Sequence, residues 1–362
     1  MDNDLLRQAN LEIRKSRPRQ YGKKACDVFC QGDMIEICFL SRRCFHDSQG
    51  ACLMCDYGTV SGTFSIERYL YEMDQALKEQ GNGKGTLLLS TNGSFLDTKQ
   101  IDQALFENVL IRAAHTSIPV IEIETHYKDV TQQILARIKA LLVGKVIVLE
   151  MGLESVSQQY QNAVIMKDIN LLEYAKTMKL IQQFGFQVET NIMIGLPFMS
   201  MKAQYDSAID TIHWSFAHNG RPVLFPINIK PYTLLMEAYH AGHYQPVSAW
   251  MLPLILDALP EEWLGGIAVA WYGNREDVYE ESRDRVVFPR ACPSCSKRIY
   301  AYFEKLHDIV DGRERKAQLT HLFSSSNCSC LELTRQGIYT TSEQSFEDRY
   351  QLFLEWIERK MR

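Results

Sequence analysis

Apolar residues along the chain follow two alternating rhythms. Short runs of aliphatic and β-branched residues cover 34–40, 86–90, 120–124, 146–151, 188–194 and 223–228. Each is five to seven residues long, which predicts a strand. Between them lie stretches with helical spacing at 65–80, 98–114, 128–142, 171–184 and 201–217. In the first of these Ile66, Leu70, Met73 and Leu77 share one stripe. Strands and helices in this alternation predict a parallel sheet of right-handed βαβ units. Six strands fall two short of a closed eight-stranded barrel. A doubly wound nucleotide fold is the competing architecture, but no G-x-G-x-x-G follows any strand. The glycine-rich run Gly81–Gly85 precedes its strand and reads as a turn.

Outside these units the pattern is less regular. A helix is predicted over 3–15, then a basic connector with Arg14, Lys15, Arg17, Arg19, Lys23 and Lys24. The connector reads as a solvated face, with a phosphate or nucleic-acid contact as the alternative. After 228 come Lys230-Pro231-Tyr232-Thr233, a helix near 247–258 and an aromatic run from Trp263 to Gly273. Further helices are predicted over 297–309 and 344–361, the last with Phe346, Tyr350, Phe353 and Ile357 in its apolar stripe. The expected division is 1–32 as helix and connector, 33–285 as barrel, and 286–362 as an extension.

Charge and composition narrow the class. A net charge of −5 argues against a surface wholly devoted to nucleic acid, while leaving room for a local basic patch. No apolar span approaches the roughly 20 residues that cross a bilayer, and no apolar signal segment follows Met1. The expectation is a cytoplasmic protein without membrane attachment, in which ten cysteines suggest metal ligands rather than disulfides.

Three of those cysteines organise the chain. Cys44, Cys52 and Cys55 stand in the loop after the first predicted strand, separated by seven and by two residues. Three thiolates holding a [4Fe-4S] cluster leave one iron open to a small molecule, whereas a structural centre fills every site. A zinc ion completed by His46 is the alternative. Cys26 and Cys30 lack a third cysteine at the matching position, which is Asp33, so they and Cys38 read as core or surface residues.

The ending GACLMCDYG of this loop, and NGSFLD at 92–97, resemble the radical S-adenosylmethionine (SAM) superfamily. Within it they are similar to the branch that includes the Elp3-like proteins and the archaeosine-synthase radical SAM subunit. The seven-residue first gap departs from the three of the commonest pattern. The likeness covers roughly 33–273 and implies a partial (β/α)6 barrel, which the six strands fit. It also implies a [4Fe-4S] cluster on Cys44, Cys52 and Cys55 that chelates SAM. Tyr57 would lie by the adenine, and Asn92-Gly93-Ser94 would correspond to the turn receiving the SAM amino group. Glu124, Glu150, Glu154 and Asn191, at strand ends, would complete the cofactor pocket; Glu150 and Glu154 fall in a segment similar to the branch's GLES signature. Lys167, Lys230 and Thr233 would stand near the substrate mouth.

A second set, Cys292-x2-Cys295 and Cys328-x-Cys330, offers four thiolates, enough for a closed zinc site or an auxiliary iron–sulfur cluster. The leading functional expectation is an enzyme that cleaves SAM reductively to a 5′-deoxyadenosyl radical. That radical would abstract hydrogen from a small-molecule biosynthetic intermediate, with a one-electron donor such as flavodoxin or ferredoxin as partner. A tRNA base is the alternative substrate. A non-enzymatic zinc-binding protein using both cysteine sets is the alternative from another class.

Overall fold

Eight strands form one sheet in the computed structural model, which describes residues 3–15, 24–42, 44–57, 62, 64–270, 286–306 and 309–361. They are β1 (Cys26–Gln31), β2 (Met34–Phe39), β3 (Thr86–Thr91), β4 (Val120–Thr125), β5 (Val146–Glu154), β6 (Gln187–Ile194), β7 (Arg221–Pro226) and β8 (Ala268–Val269). Their order in the sheet is their order in the chain. β1 pairs antiparallel with β2, and every later pair is parallel. Among the described residues β1 and β8 do not pair, so the curled sheet stays open as a half-barrel. The six predicted strands are β2 to β7.

β1 corrects the expectation for 1–32, where only a helix and connector were foreseen. Gly32, at φ 52°, and Asp33 turn the chain between Gln31 and Met34, and the returning strand pairs along its whole length. Arg17, Arg19 and Lys23 lie outside the described residues, as does the 271–273 end of the predicted aromatic run.

Helix α1 (Asn3–Lys15) precedes the sheet. The crossovers are α2 (Ile66–Gln80), α3 (Gln103–His115), α4 (Gln132–Leu141), α5 (Leu171–Gln183) and α6 (Met201–Ala217). Each starts at a polar cap: the side chains of Ser65, Asp102, Thr131, Asn170 and Ser200 accept a hydrogen bond from the amide three residues on. Such a cap stabilises a helix by about 0.5–2 kcal/mol. Asp102 and Thr131 explain why two helices begin four or five residues later than their apolar spacing predicts. After the last crossover come α7 (Leu234–His240), α8 (Met251–Ala258), α9 (Pro293–Leu306), α10 (Gly312–Ser324), α11 (Ser329–Tyr339) and α12 (Phe346–Met361). Of these α7, α10 and α11 were not predicted. Among the described residues no helix is long and apolar enough to cross a membrane.

Strand alternation sorts the residues. Ile35, Ile37, Leu87, Leu89, Ile121, Ile123 and Leu149 pack in one core with residues of α2 to α5. The opposite face is polar: Glu36, Ser90, Glu122, Glu150, Glu189 and Asn191 are all buried. Ser90 Oγ donates to Glu36 at 2.8 Å, and Arg221 pairs with Glu189 at 2.9 Å. Burial, reinforced by Glu189 and Glu150, pushes the Glu122 carboxyl well above the usual carboxylate range. A second core joins α6 and α8 to α9, α10 and α11 around Trp250. A third packs α1 and α12 with Leu53 and Phe198.

Candidate active site

The three loop cysteines meet at the carboxyl end of the half-barrel. Cys44 precedes a short helix, Phe45–Ser48, and Cys52 and Cys55 follow it. All three line one cavity of about 690 Å³, within the range of small-molecule sites. Cys52 N donates to Ile165 O at 2.9 Å, which ties the loop to the segment after β5. Tyr57 N donates to Cys55 Sγ at 3.4 Å, and Lys230 lies over the Tyr57 ring at 5.1 Å while pairing with Asp56 at 2.6 Å.

Helix α1 roofs this loop, with Arg7 reaching the cavity wall. Leu6, Ala9, Asn10 and Arg14 form its buried stripe. Asn10 Nδ2 donates to Gly50 O at 3.0 Å. The Arg14 guanidinium donates to the carbonyls of Asp47, Ala51 and Cys52 and pairs with the Asp47 carboxylate at 3.3 Å. Gly50 is required here: at φ 73° a Cβ would also stand 2.5 Å from Arg7 O. Arg14 is therefore neither a solvated charge nor a nucleic-acid contact.

Four of the seven described non-glycine residues with positive φ line the cavity: Cys52, Glu154, Met166 and Asp168. Strained backbone of this kind gathers at binding sites. Glu154 follows an irregularity in the β5–β6 pairing, and accepts from Lys167 at 3.0 Å. Burial alone would lower the Lys167 ammonium's pKa, but Glu154, Cys52 and Cys44 outweigh it and hold the charge.

The strand ends supply the remaining wall. Gly93, Ser94, Glu124, Glu154, Asn191 and Tyr57 line the cavity. Ser94 Oγ bonds Thr125 Oγ1 at 2.8 Å and accepts from His126 N at 3.0 Å. Asn92 is buried beside this turn and is not part of the lining, and Glu150 lies deeper, on the polar inner face of the sheet. Thr233 is fully buried and caps α7, so it does not reach the substrate mouth. Lys167 and Lys230 do line the cavity.

Sequence reasoning missed Arg7, Lys99, His126 and Lys128, all in the wall. Arg7 Nη2 donates to Met166 O at 2.8 Å. The His46 and His126 rings lie 5.0 Å apart. Burial, with Lys167 and Lys128 nearby, lowers His46 to about 4 and His126 to about 2, so both stay neutral at physiological pH. NGSFLD was followed only as far as its glycine turn; His126, directly after β4, was findable from its strand-end position.

The residues fit a three-thiolate cluster with a chelated cofactor. Among the described residues, the ligand atoms of Cys44, Cys52, Cys55 and His46 do not form a group within single-ion spacing. Burial raises the Cys52 thiol and, with Asp56, raises Cys55 to about 11; binding iron would exchange those protons for metal. Asn191 Oδ1 is buried with no hydrogen-bond partner at the cavity wall, an acceptor matched to a ligand's donor. Elsewhere, Cys292, Cys295, Cys328 and Cys330 bring their sulfurs within 4.8 Å of one another, a group able to hold a metal.

An open parallel half-barrel with three cysteines so placed in the loop after its first parallel strand is the arrangement that the resemblance to the radical SAM superfamily implies. In sequence the chain is similar to archaeosine synthase subunit beta from Methanosarcina acetivorans, 23% identical over 233 residues, which are 62% of this chain and 66% of that protein. No family profile matches. Solved structures of similar arrangement include Elp3 from the archaeon Methanocaldococcus infernus, with 14% identity, 67% of this chain and 59% of that one covered, and a TM-score of 0.47. SuiB from Streptococcus suis has 12% identity, 70% and 54% coverage, and a TM-score of 0.47. The chain thus spans just under two thirds of the first of these proteins and less of the other two.

Proposed function

We propose that the chain is a radical SAM enzyme that abstracts hydrogen from a base carried by tRNA. The observation that carries the enzyme reading is the convergence of Cys44, Cys52 and Cys55 on one cavity with the carboxyl ends of β3 to β7. A [4Fe-4S] cluster held there by Cys44, Cys52 and Cys55, with SAM, would supply one-electron reductive cleavage chemistry, given an electron from a flavodoxin- or ferredoxin-like donor. The chain's own residues bind and orient. Cys44, Cys52 and Cys55 hold the cluster, and Gly93, Ser94, Glu124 and Asn191 surround the cofactor from the strand ends. The Lys167–Glu154 pair fixes charge beside the thiolates, and His46 and His126 present neutral rings.

Two observations favour tRNA over the free small molecule that composition suggested. The sequence similarity is to archaeosine synthase subunit beta, from the base-modifying branch that the cysteine loop resembles. The cavity also carries exposed Lys99 and Lys128 and half-buried Arg7, cations suited to a phosphate backbone, alongside carboxylates such as Asp97, Asp129 and Asp168. The small-molecule reading keeps its two supports, the net charge of −5 and a basic connector too short to suggest a full RNA-binding domain.

The test is 5′-deoxyadenosine formation by protein reconstituted and reduced anaerobically, with and without bulk tRNA over a salt series. Stimulation by tRNA that weakens steeply with salt is expected. Product from the Cys44→Ala/Cys52→Ala/Cys55→Ala variant would refute the site. Stimulation by a metabolite extract and not by tRNA would move the substrate to the small-molecule class.

A further inference from the structure

We infer that Cys292, Cys295, Cys328 and Cys330 form a closed site for one tetrahedral zinc ion, which fastens the C-terminal helices to the wall of the half-barrel. The sulfur spacing carries this. Cys292 and Cys328 Sγ stand 3.5 Å apart, Cys330 and Cys292 3.7 Å, and Cys330 and Cys328 3.4 Å. Zinc binds thiolate at about 2.3 Å, so a tetrahedron of four sulfurs around it has edges of about 3.8 Å. Each cysteine of a four-iron cluster binds a different iron, which splays the sulfurs well beyond a single-ion edge. All four sulfurs here fall within 4.8 Å. The spacing thus decides between the zinc and the auxiliary cluster that the cysteine pattern alone left open.

The surroundings suit a closed structural centre. Cys292 directly precedes α9, and Cys328 caps α11, so two helices turn their amide ends toward the thiolates and offset their negative charge. Trp250 is fully buried and its Nε1 donates to Cys330 Sγ at 3.3 Å, a bond that orients a ligand from outside the sulfur shell. Four cysteines leave no open position for substrate or water. None of the four lines the catalytic cavity.

The mechanical role follows from what the two pairs join. Cys292 and Cys295 belong to the start of α9, Cys328 and Cys330 to the start of α11, and both ends pack around Trp250 ahead of α8. Thr334 Oγ1 on α11 donates to Ser248 Oγ at 2.9 Å, and α11 lies against α6, a crossover of the barrel. One ion at this junction closes α9, α10 and α11 into a loop held to the barrel.

The experiment is metal analysis of the full chain carrying Cys44→Ala, Cys52→Ala and Cys55→Ala, purified anaerobically, so that its outcome does not depend on catalysis. One zinc per chain is expected. About four irons, a single iron, or no metal would each overturn the assignment. Cobalt exchanged into the same variant should give the visible absorption of a tetrahedral tetrathiolate centre; octahedral absorption would overturn it as well. In the otherwise native chain, Cys328→Ser/Cys330→Ser should lose the zinc and keep the iron of the catalytic loop. If that variant retains its zinc, the four-cysteine site is refuted; if it does not fold, the cobalt spectrum still decides.

Discussion

Replacing Arg14 with methionine tests whether α1 shapes the catalytic loop. The guanidinium is 5% exposed and donates to the carbonyls of Asp47, Ala51 and Cys52 while pairing with the Asp47 carboxylate, itself 3% exposed. Breaking a buried ion pair from one side costs about 3–5 kcal/mol, because the remaining charge stays desolvated. Each buried carbonyl that loses its donor adds about 1–3 kcal/mol, although these costs do not sum independently. A loss of about 4 kcal/mol is a large share of the roughly 5–15 kcal/mol that holds a domain folded. It falls entirely on the loop that carries Cys44, Cys52 and Cys55. Arg14→Met should therefore lower the denaturation midpoint and reduce iron retained after anaerobic reconstitution. The double variant Arg14→Met/Asp47→Leu, lacking both charges, should recover much of the stability. A single variant within about 0.5 kcal/mol of the parent, the usual span of surface substitutions, would refute the reasoning. So would a double variant no better than the single.

Glu122 is buried with its carboxyl held protonated, whereas in the unfolded chain it ionises above about 4.5, so its cost to stability grows as pH rises from there. Glu122→Gln should stabilise the fold more at pH 8 than at pH 6; equal effects in denaturant melts would contradict this. His46, lowered from 6.5 to about 4, binds its proton in the unfolded chain first, so stability should fall as pH drops from 6.5 toward 4. His46→Gln should flatten that acid limb, and an unaltered limb in thermal melts would exclude His46 as its source. Lys167→Met removes a cation beside Cys52 and Cys44, so the loop's cluster should become harder to reduce. A redox titration followed by electron paramagnetic resonance would show a more negative midpoint; an unchanged or higher one would sink the electrostatic argument.

The parallel part of the sheet was legible because β2 to β7 are near-continuous apolar runs, as buried parallel strands are. Their polar inner face was not, since Glu36, Glu122 and Glu189 look like ordinary breaks in a run until neighbouring strands bring them together. β1 was missed although Gly32-Asp33 is a two-residue hairpin signal, because Asp27 and Gln31 dilute a short run. Arg14 misled for a different reason. Its stripe on α1, Leu6, Ala9, Asn10 and Arg14, is half polar, so hydrophobic spacing gave little sign that Arg14 faces inward. The cysteine pairs could be read as metal ligands from spacing, but only folding brings Cys292 and Cys328 to 3.5 Å. The cavity's charged wall combines α1, the turn after β3 and the residues after β4, segments that no local pattern connects.

The contact between α1 and α12 has a consequence for when the catalytic loop can take its final form. Tyr350 Oη donates to Asn3 Oδ1 at 3.4 Å, and Tyr350 and Phe353 of α12 are buried in the core that holds Leu6 of α1. The brace behind Cys52 is thus itself backed by a helix far along the chain, 347 positions from its contact on α1. During synthesis the three cysteines leave the ribosome before that backing exists, when α1 can pack only on the loop itself. Iron delivered then would meet a loop whose brace is not yet backed by α12. The arrangement makes the order of events a property of the fold, with translation of α12 as the step after which the loop is set.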